Sequence, residues 1–196
     1  MRIISGIFKG KKIFEPEDKV TRPLKDLVKE SIFNIINHSN KFEMQISNSI
    51  ILDLFSGVGS FGLEAISRGA SYIVFVENYS LVLKTLRKNI SNLNLTNKCK
   101  ILEKDVFEDL DFKDLEKKFN IIFLDPPFKK ENKNLLITKI FYSRVLDKKG
   151  IIILHKNVKE KNNFPTFFRV VEEKKYGNSK IIFGNFILKI VFLSLF

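Results

Sequence analysis

Cysteine is almost missing from this sequence: among 196 residues there is one, Cys99. A single thiol closes no internal disulfide and cannot supply the paired cysteines of a zinc site, so neither a crosslink nor a metal is expected. Long apolar runs are missing too. The chain opens Met1-Arg2-Ile3-Ile4-Ser5-Gly6, without the apolar stretch and small-residue cleavage site of a signal peptide. The apolar tail from Phe186 to Phe196 is interrupted by Lys189 and falls well short of the ~20 residues of a membrane span, so it reads as a final buried strand. Internal repeats and low-complexity linkers are absent as well. These absences predict one cytoplasmic, monomeric domain over 1–196, with no membrane and no metal.

What the sequence has in excess is positive charge. The 34 Lys and Arg outnumber the 22 Asp and Glu, for a net charge of +12. A surface of that sign favours a polyanion, because each neutralised phosphate releases counterions. The abundance of Lys, Ile, Asn and Phe is also what an AT-rich genome imposes, so the charge alone does not decide.

Residues Arg2 to Phe14 read as a small β-hairpin turning near Lys9-Gly10, with Lys9, Lys11 and Lys12 at the turn. Thr21-Arg22-Pro23 opens a helix whose apolar residues Leu24, Leu27, Val28, Ile32, Ile35 and Ile36 recur at helical spacing. This N-terminal extension, 1–40, is followed by a polar link and then by the core, 49–196. There, apolar strands at Ile50–Leu54, Tyr72–Val76, Lys100–Glu103, Ile121–Leu124 and Ile151–Leu154 alternate with helices near Phe61–Arg68, Leu81–Asn92, Phe107–Lys117 and Lys133–Val145. Fully apolar strands separated by helices predict an α/β, Rossmann-like fold with a mostly parallel sheet covered on both faces. Two further runs, Phe167–Lys175 and Lys180–Leu195, meet at Gly177-Asn178 and predict an antiparallel C-terminal hairpin.

Ligands of such sheets bind at the carboxyl ends of the strands. The first strand ends in Asp53-Leu54-Phe55-Ser56-Gly57-Val58-Gly59-Ser60-Phe61-Gly62, and Glu77 ends the second. Gly57, Gly59 and Gly62 fit a G-x-G-x-x-G loop, which by itself suits NAD as well as other nucleotides. Asp53 discriminates. A carboxylate beside the loop repels a diphosphate but suits a cationic ligand with a free amino group, such as S-adenosyl-L-methionine. Asp105, after the third strand, adds an acceptor for an adenine amino group, or caps the next helix. Phe55, Ser56, Asn78 and Val106 complete the candidate cofactor contacts.

The fourth strand runs into Asp125-Pro126-Pro127-Phe128, the sharpest signal in the chain. An exocyclic base amine is a poor nucleophile because its lone pair is delocalised into the ring. It accepts a methyl group when its hydrogens are held by acceptors. The Asp125 carboxylate and the Pro126 carbonyl supply two, two prolines fix the backbone, and Phe128 stacks on the base. The base must be unpaired or flipped to reach them.

Taken together, these motifs resemble the class I methyltransferases acting on base amino groups. Arg2-Ile3-Ile4-Ser5-Gly6, Lys9-Gly10-Lys11-Lys12, Thr21-Arg22-Pro23, Val28 to Asn34, Gly62-Leu63-Glu64-Ala65 and Tyr176-Gly177 narrow the resemblance to the bacterial 16S ribosomal RNA guanine-N2 methyltransferases. The resemblance spans nearly the whole chain. It implies a seven-stranded sheet, S-adenosyl-L-methionine as cofactor, and 16S rRNA in an assembling small ribosomal subunit as partner. Lys9, Lys11, Lys12, Arg22, Lys129 and Lys130 are the basic residues expected nearest the RNA, with Tyr176 beside the base. The fifth strand ends in His155-Lys156 where the family more often has an acidic residue, and His155 reads as a packed or solvated side chain. Competing readings are an N6-adenine methyltransferase, an NAD-dependent oxidoreductase and a non-catalytic RNA-binding protein.

Overall fold

The computed structural model describes residues 1–16, 24–127 and 133–187. Thr21, Arg22, Pro23, Phe128, Lys129, Lys130 and the tail from 188 onward lie outside these. Seven strands form one sheet: β1 (Ile50–Leu54), β2 (Tyr72–Glu77), β3 (Cys99–Glu103), β4 (Phe119–Leu124), β5 (Leu146–Asn157), β6 (Phe168–Tyr176) and β7 (Ser179–Phe186). Their spatial order is β3-β2-β1-β4-β5-β7-β6. The first five are parallel, while β7 inserts antiparallel between β5 and β6.

Strand alternation sorts the apolar side chains onto two faces. Ile51, Ile73, Phe75, Ile121, Phe123, Ile153 and Phe183 pack against α1 (Asp26–His38), α2 (Ser60–Ser67) and α3 (Ser80–Asn92). Leu52, Leu54, Val74, Val76, Ile122, Leu124 and Leu154 pack with residues of α4 (Lys133–Ser143) on the other face. Both faces are therefore dry, which is why the strands read as continuous apolar runs. Phe33 of α1, Phe61 of α2 and Phe123 of β4 stack in series, with centroids 5.1 and 4.0 Å apart.

Three local readings change. The segment expected as a helix over Phe107–Lys117 is a turn followed by one 3-10 turn, Phe112–Asp114. Its aspartates compete with the helix: Asp105 Oδ1 accepts from the Phe107 and Glu108 amides, and Asp111 Oδ1 from the Lys113 amide. The N-terminal hairpin reduces to a single antiparallel bridge, Arg2 to Lys12, closed by Ile3 N–Lys11 O and Ile13 N–Met1 O. Leu27 lies on the outer face of α1, 69% exposed, while Leu24, Val28, Ile32 and Ile36 face the core.

What holds the N-terminal segment is a buried carboxylate. Glu64, on α2, accepts from the Ile4 and Ser5 amides at 2.7 and 3.0 Å and from Arg68 Nε at 2.7 Å. Lys29 of α1 lies 3.8 Å from the same carboxylate and also donates to the Arg2 carbonyl and to Ser60 Oγ. Both Lys29 and Glu64 are fully buried.

Candidate active site

The sheet changes winding direction at β1, whose neighbours are β2 on one side and β4 on the other. The β1–β4 register pairs Leu54 with Leu124, so the loop after β1 and the Asp125-Pro126-Pro127 turn leave the sheet side by side. The Asp125 amide donates to the Leu54 carbonyl at 3.4 Å. This is the crevice where open α/β sheets hold ligands.

Glycine is required in the loop after β1 for steric reasons. Gly59 has φ +82°, and a Cβ there would stand 2.6 Å from Leu86 Cδ1; at Gly62 it would stand 2.3 Å from the Phe75 ring. Gly62 thus lets α2 lie against β2 and aims its amide at the sheet. That amide donates to Asp53 Oδ2 at 3.1 Å. Phe55 adopts φ 62°, a left-handed conformation that is costly for a residue with a side chain and typical of ligand-binding turns.

Asp53 is 1% exposed, and among the described residues its second oxygen, Oδ1, has no hydrogen-bond partner; neither has the buried Ser56 Oγ. Burial pushes the Asp53 carboxyl well above the usual carboxylate range; the Gly62 amide opposes this, and Asp125 and Glu77 add to it. An acid whose folded-state pKa lies above its unfolded one, about 3.9, contributes full stability only below that value and loses it as pH rises toward the folded pKa. Ionised Asp53 therefore costs stability at neutral pH. Asp53→Asn is expected to melt higher than wild type at pH 7, with the gap closing as pH falls toward 4. Thermal melts across that range check it, and a variant that melts lower at pH 7 contradicts it.

Glu77 ties the loop to the second strand. Its Oε2 accepts from the Gly57 amide, and its Oε1 from the Asn78 and Tyr79 amides, each at 2.9 Å. Asn78 Nδ2 donates to Asp105 Oδ2 at 2.8 Å, so Glu77, Asn78 and Asp105 form one connected rim. Val106 is buried beneath it. Phe55 and Phe107 pack with tilted rings across it, 5.5 Å apart at 42°.

At the other side of the crevice, Asp125 is half-buried, Pro126 buried and Pro127 exposed. Asp125 Oδ1 lies 2.7 Å from His155 Nδ1, and His155 Nε2 lies 2.9 Å from Ser179 Oγ. His155 is thus no solvated strand end. The register brings it there: Ile121–Leu124 and Ile151–Leu154 pair in parallel, so the residues that follow them lie side by side. Among the expected RNA contacts, Lys9, Lys11 and Lys12 are exposed at the N-terminal turn. Tyr176 packs by α1, its hydroxyl bonded to Ser31 Oγ. Burial pushes the Cys99 thiol up to about 12, so it stays protonated at neutral pH.

This strand order, with the loop after β1 and the acidic turn after β4 flanking one crevice, defines a class I methyltransferase fold. The chain belongs to the family described as conserved hypothetical protein 95, which matches residues 1–185. It is similar to YlbH of Bacillus subtilis, with 36% identity over 154 residues, covering 78% of this chain and 80% of that one. It is also similar to a Buchnera aphidicola protein named ribosomal RNA small subunit methyltransferase D, with 34% identity over 165 residues, 79% of this chain and 82% of the relative. Among solved structures, yhhF of Escherichia coli superposes with a TM-score of 0.77 at 25% identity, covering 94% of this chain and 96% of that one.

Proposed function

We propose that this chain methylates the exocyclic N2 of a guanine in 16S ribosomal RNA of the assembling small subunit, with S-adenosyl-L-methionine as donor. The observation that carries the reading is the juxtaposition across β1 and β4 of a buried carboxylate, Asp53, with one oxygen unpaired among the described residues, and the acceptor turn Asp125-Pro126. The name of the Buchnera relative supports RNA of the small subunit as substrate.

The residues present fit the cofactor. Asp53 Oδ1 and Ser56 Oγ are buried acceptors unpaired among the described residues, which suits the ammonium of a methionine moiety. Glu77 already accepts three backbone amides, leaving about one of its roughly four acceptor positions for a ribose hydroxyl. Asp105 and Val106 border the place of the adenine. When bound, the cofactor supplies an electrophilic methyl group on a sulfonium. The chain does the rest: the Asp125 carboxylate and Pro126 carbonyl hold the amine hydrogens, and Asp125 takes the proton the nitrogen releases.

Lys9, Lys11 and Lys12 are assigned to backbone phosphates, which position the RNA without reading its bases. Replacing all three by Ala should weaken RNA binding and lower the slope of log affinity against log salt by about 2, at roughly 0.7 per lost phosphate contact. An unchanged slope in a salt series removes these lysines from the interface.

The function itself is tested by methyl transfer from labelled S-adenosyl-L-methionine to small subunits lacking the modification, with nucleoside analysis. N2-methylguanosine supports the reading. N6-methyladenosine keeps the site but overturns the substrate, and no cofactor binding overturns the whole assignment.

A further inference from the structure

The Asp125 carboxylate stands at the end of a strand on two rotatable bonds, and an acceptor in that position needs something to fix it. Among the described residues the side chain that does so is His155, 8% exposed and one residue past the register pair Leu124–Leu154. An ionised carboxylate only accepts, so the hydrogen of the 2.7 Å contact between His155 Nδ1 and Asp125 Oδ1 sits on the imidazole. In the neutral ring, Nε2 then accepts from the Ser179 hydroxyl at 2.9 Å. The two bonds fix both the tautomer and the ring plane. Ser179 opens β7, which pairs with β5, so the ring is held from the strand on its far side.

We infer that His155 is the positioning residue of the transfer reaction: its Nδ1–H occupies Asp125 Oδ1, turning Oδ2 toward the base amine, while Ser179 holds the ring from behind. The inference rests on the reading of Asp125 given above. Because the amine proton passes to Oδ2, a carboxylate free to rotate would present the correct oxygen only part of the time. His155 touches neither base nor cofactor and acts through Asp125.

Two polar substitutions separate the two ring nitrogens. His155→Asn carries an amide N–H near the Nδ1 position and keeps the bond to Asp125. His155→Gln carries one near Nε2 and keeps the contact with Ser179 but loses Asp125. Both retain a polar side chain, and thermal melts with cofactor-binding titrations confirm that each folds. The expected result is kcat close to wild type for His155→Asn and roughly 10²-fold lower for His155→Gln, the loss that a misplaced catalytic group of this kind brings. KM for RNA and affinity for S-adenosyl-L-methionine should be unchanged in both. Equal activity of the two variants, or a loss in Gln that appears in KM, overturns the inference. Asp125→Ala, run alongside, tells the two ideas apart: if it retains transfer, the reading of Asp125 itself has failed, whatever His155 does.

Discussion

In Asp125→Ala, methyl transfer is expected to fall roughly 10²- to 10⁴-fold, the range for loss of a positioned general base, while cofactor affinity holds. The separation follows from the geometry. The glycine loop, Glu77 and Asp53 make their contacts without Asp125, whose backbone amide bonds to the Leu54 carbonyl whatever its side chain. Asp125 is moreover one of the like charges that raise the Asp53 pKa, so its removal makes Asp53 easier, not harder, to ionise for a cationic ligand. Asp125→Asn should lose nearly as much. Its carbonyl oxygen would be drawn to His155 Nδ1, leaving an amide N–H₂ group facing the amine where an acceptor is needed. Single-turnover transfer and equilibrium titration with S-adenosyl-L-methionine give the two quantities separately. A variant that retains transfer would place the proton acceptor elsewhere.

The second large effect is on stability. Glu64→Ala should cost about 3–5 kcal/mol, the range for stripping one partner from a buried ionic network. Three groups lose their acceptor at once: the Ile4 and Ser5 amides and Arg68 Nε. Lys29, whose pKa burial lowers and Glu64 supports, would keep Asp26 as its remaining acidic neighbour, at 3.4 Å. Glu64→Gln retains an acceptor oxygen and should lose less. Urea midpoints at constant slope measure both. A cost under about 1 kcal/mol for Glu64→Ala would mean the amides find water and the segment is not fixed by this carboxylate.

How far the sequence could be read depended on how local the determining interactions were. β1 came out with its observed bounds because Ile50, Ile51, Leu52 and Leu54, interrupted only by Asp53, form a mostly buried apolar segment after the polar Ser49. Glu77 and Asp125 were legible because each ends or follows an apolar run, and Asp53 because a carboxylate interrupts one just before the glycine loop. The Phe107–Lys117 segment was misread because its apolar spacing suits a helix, whereas the Asp105 and Asp111 side chains bond neighbouring amides and end it within a turn. The role of Glu64 was hidden because its partners lie about 60 residues away in the chain. The same distance problem concealed His155, whose neighbours are Asp125 and Ser179. The glycines illustrate a third case: the motif marks Gly62 for a nucleotide loop, yet its steric need comes from the Phe75 ring of β2.

The position of β7 bears on how the chain is made. Synthesis delivers β6 before β7, but in space β7 lies between β6 and the rest of the sheet. Until residues 179–186 have left the ribosome, β6 has no strand to join, and β5, 12 residues long with an apolar centre, offers a bare row of amides and carbonyls. A nascent chain stalled in that interval, or a fragment ending before Ser179, carries the kind of open edge that recruits other chains. Completion of β7 therefore closes a window of aggregation, and released fragments ending before Ser179 should sediment where chains carrying residues 179–186 stay soluble.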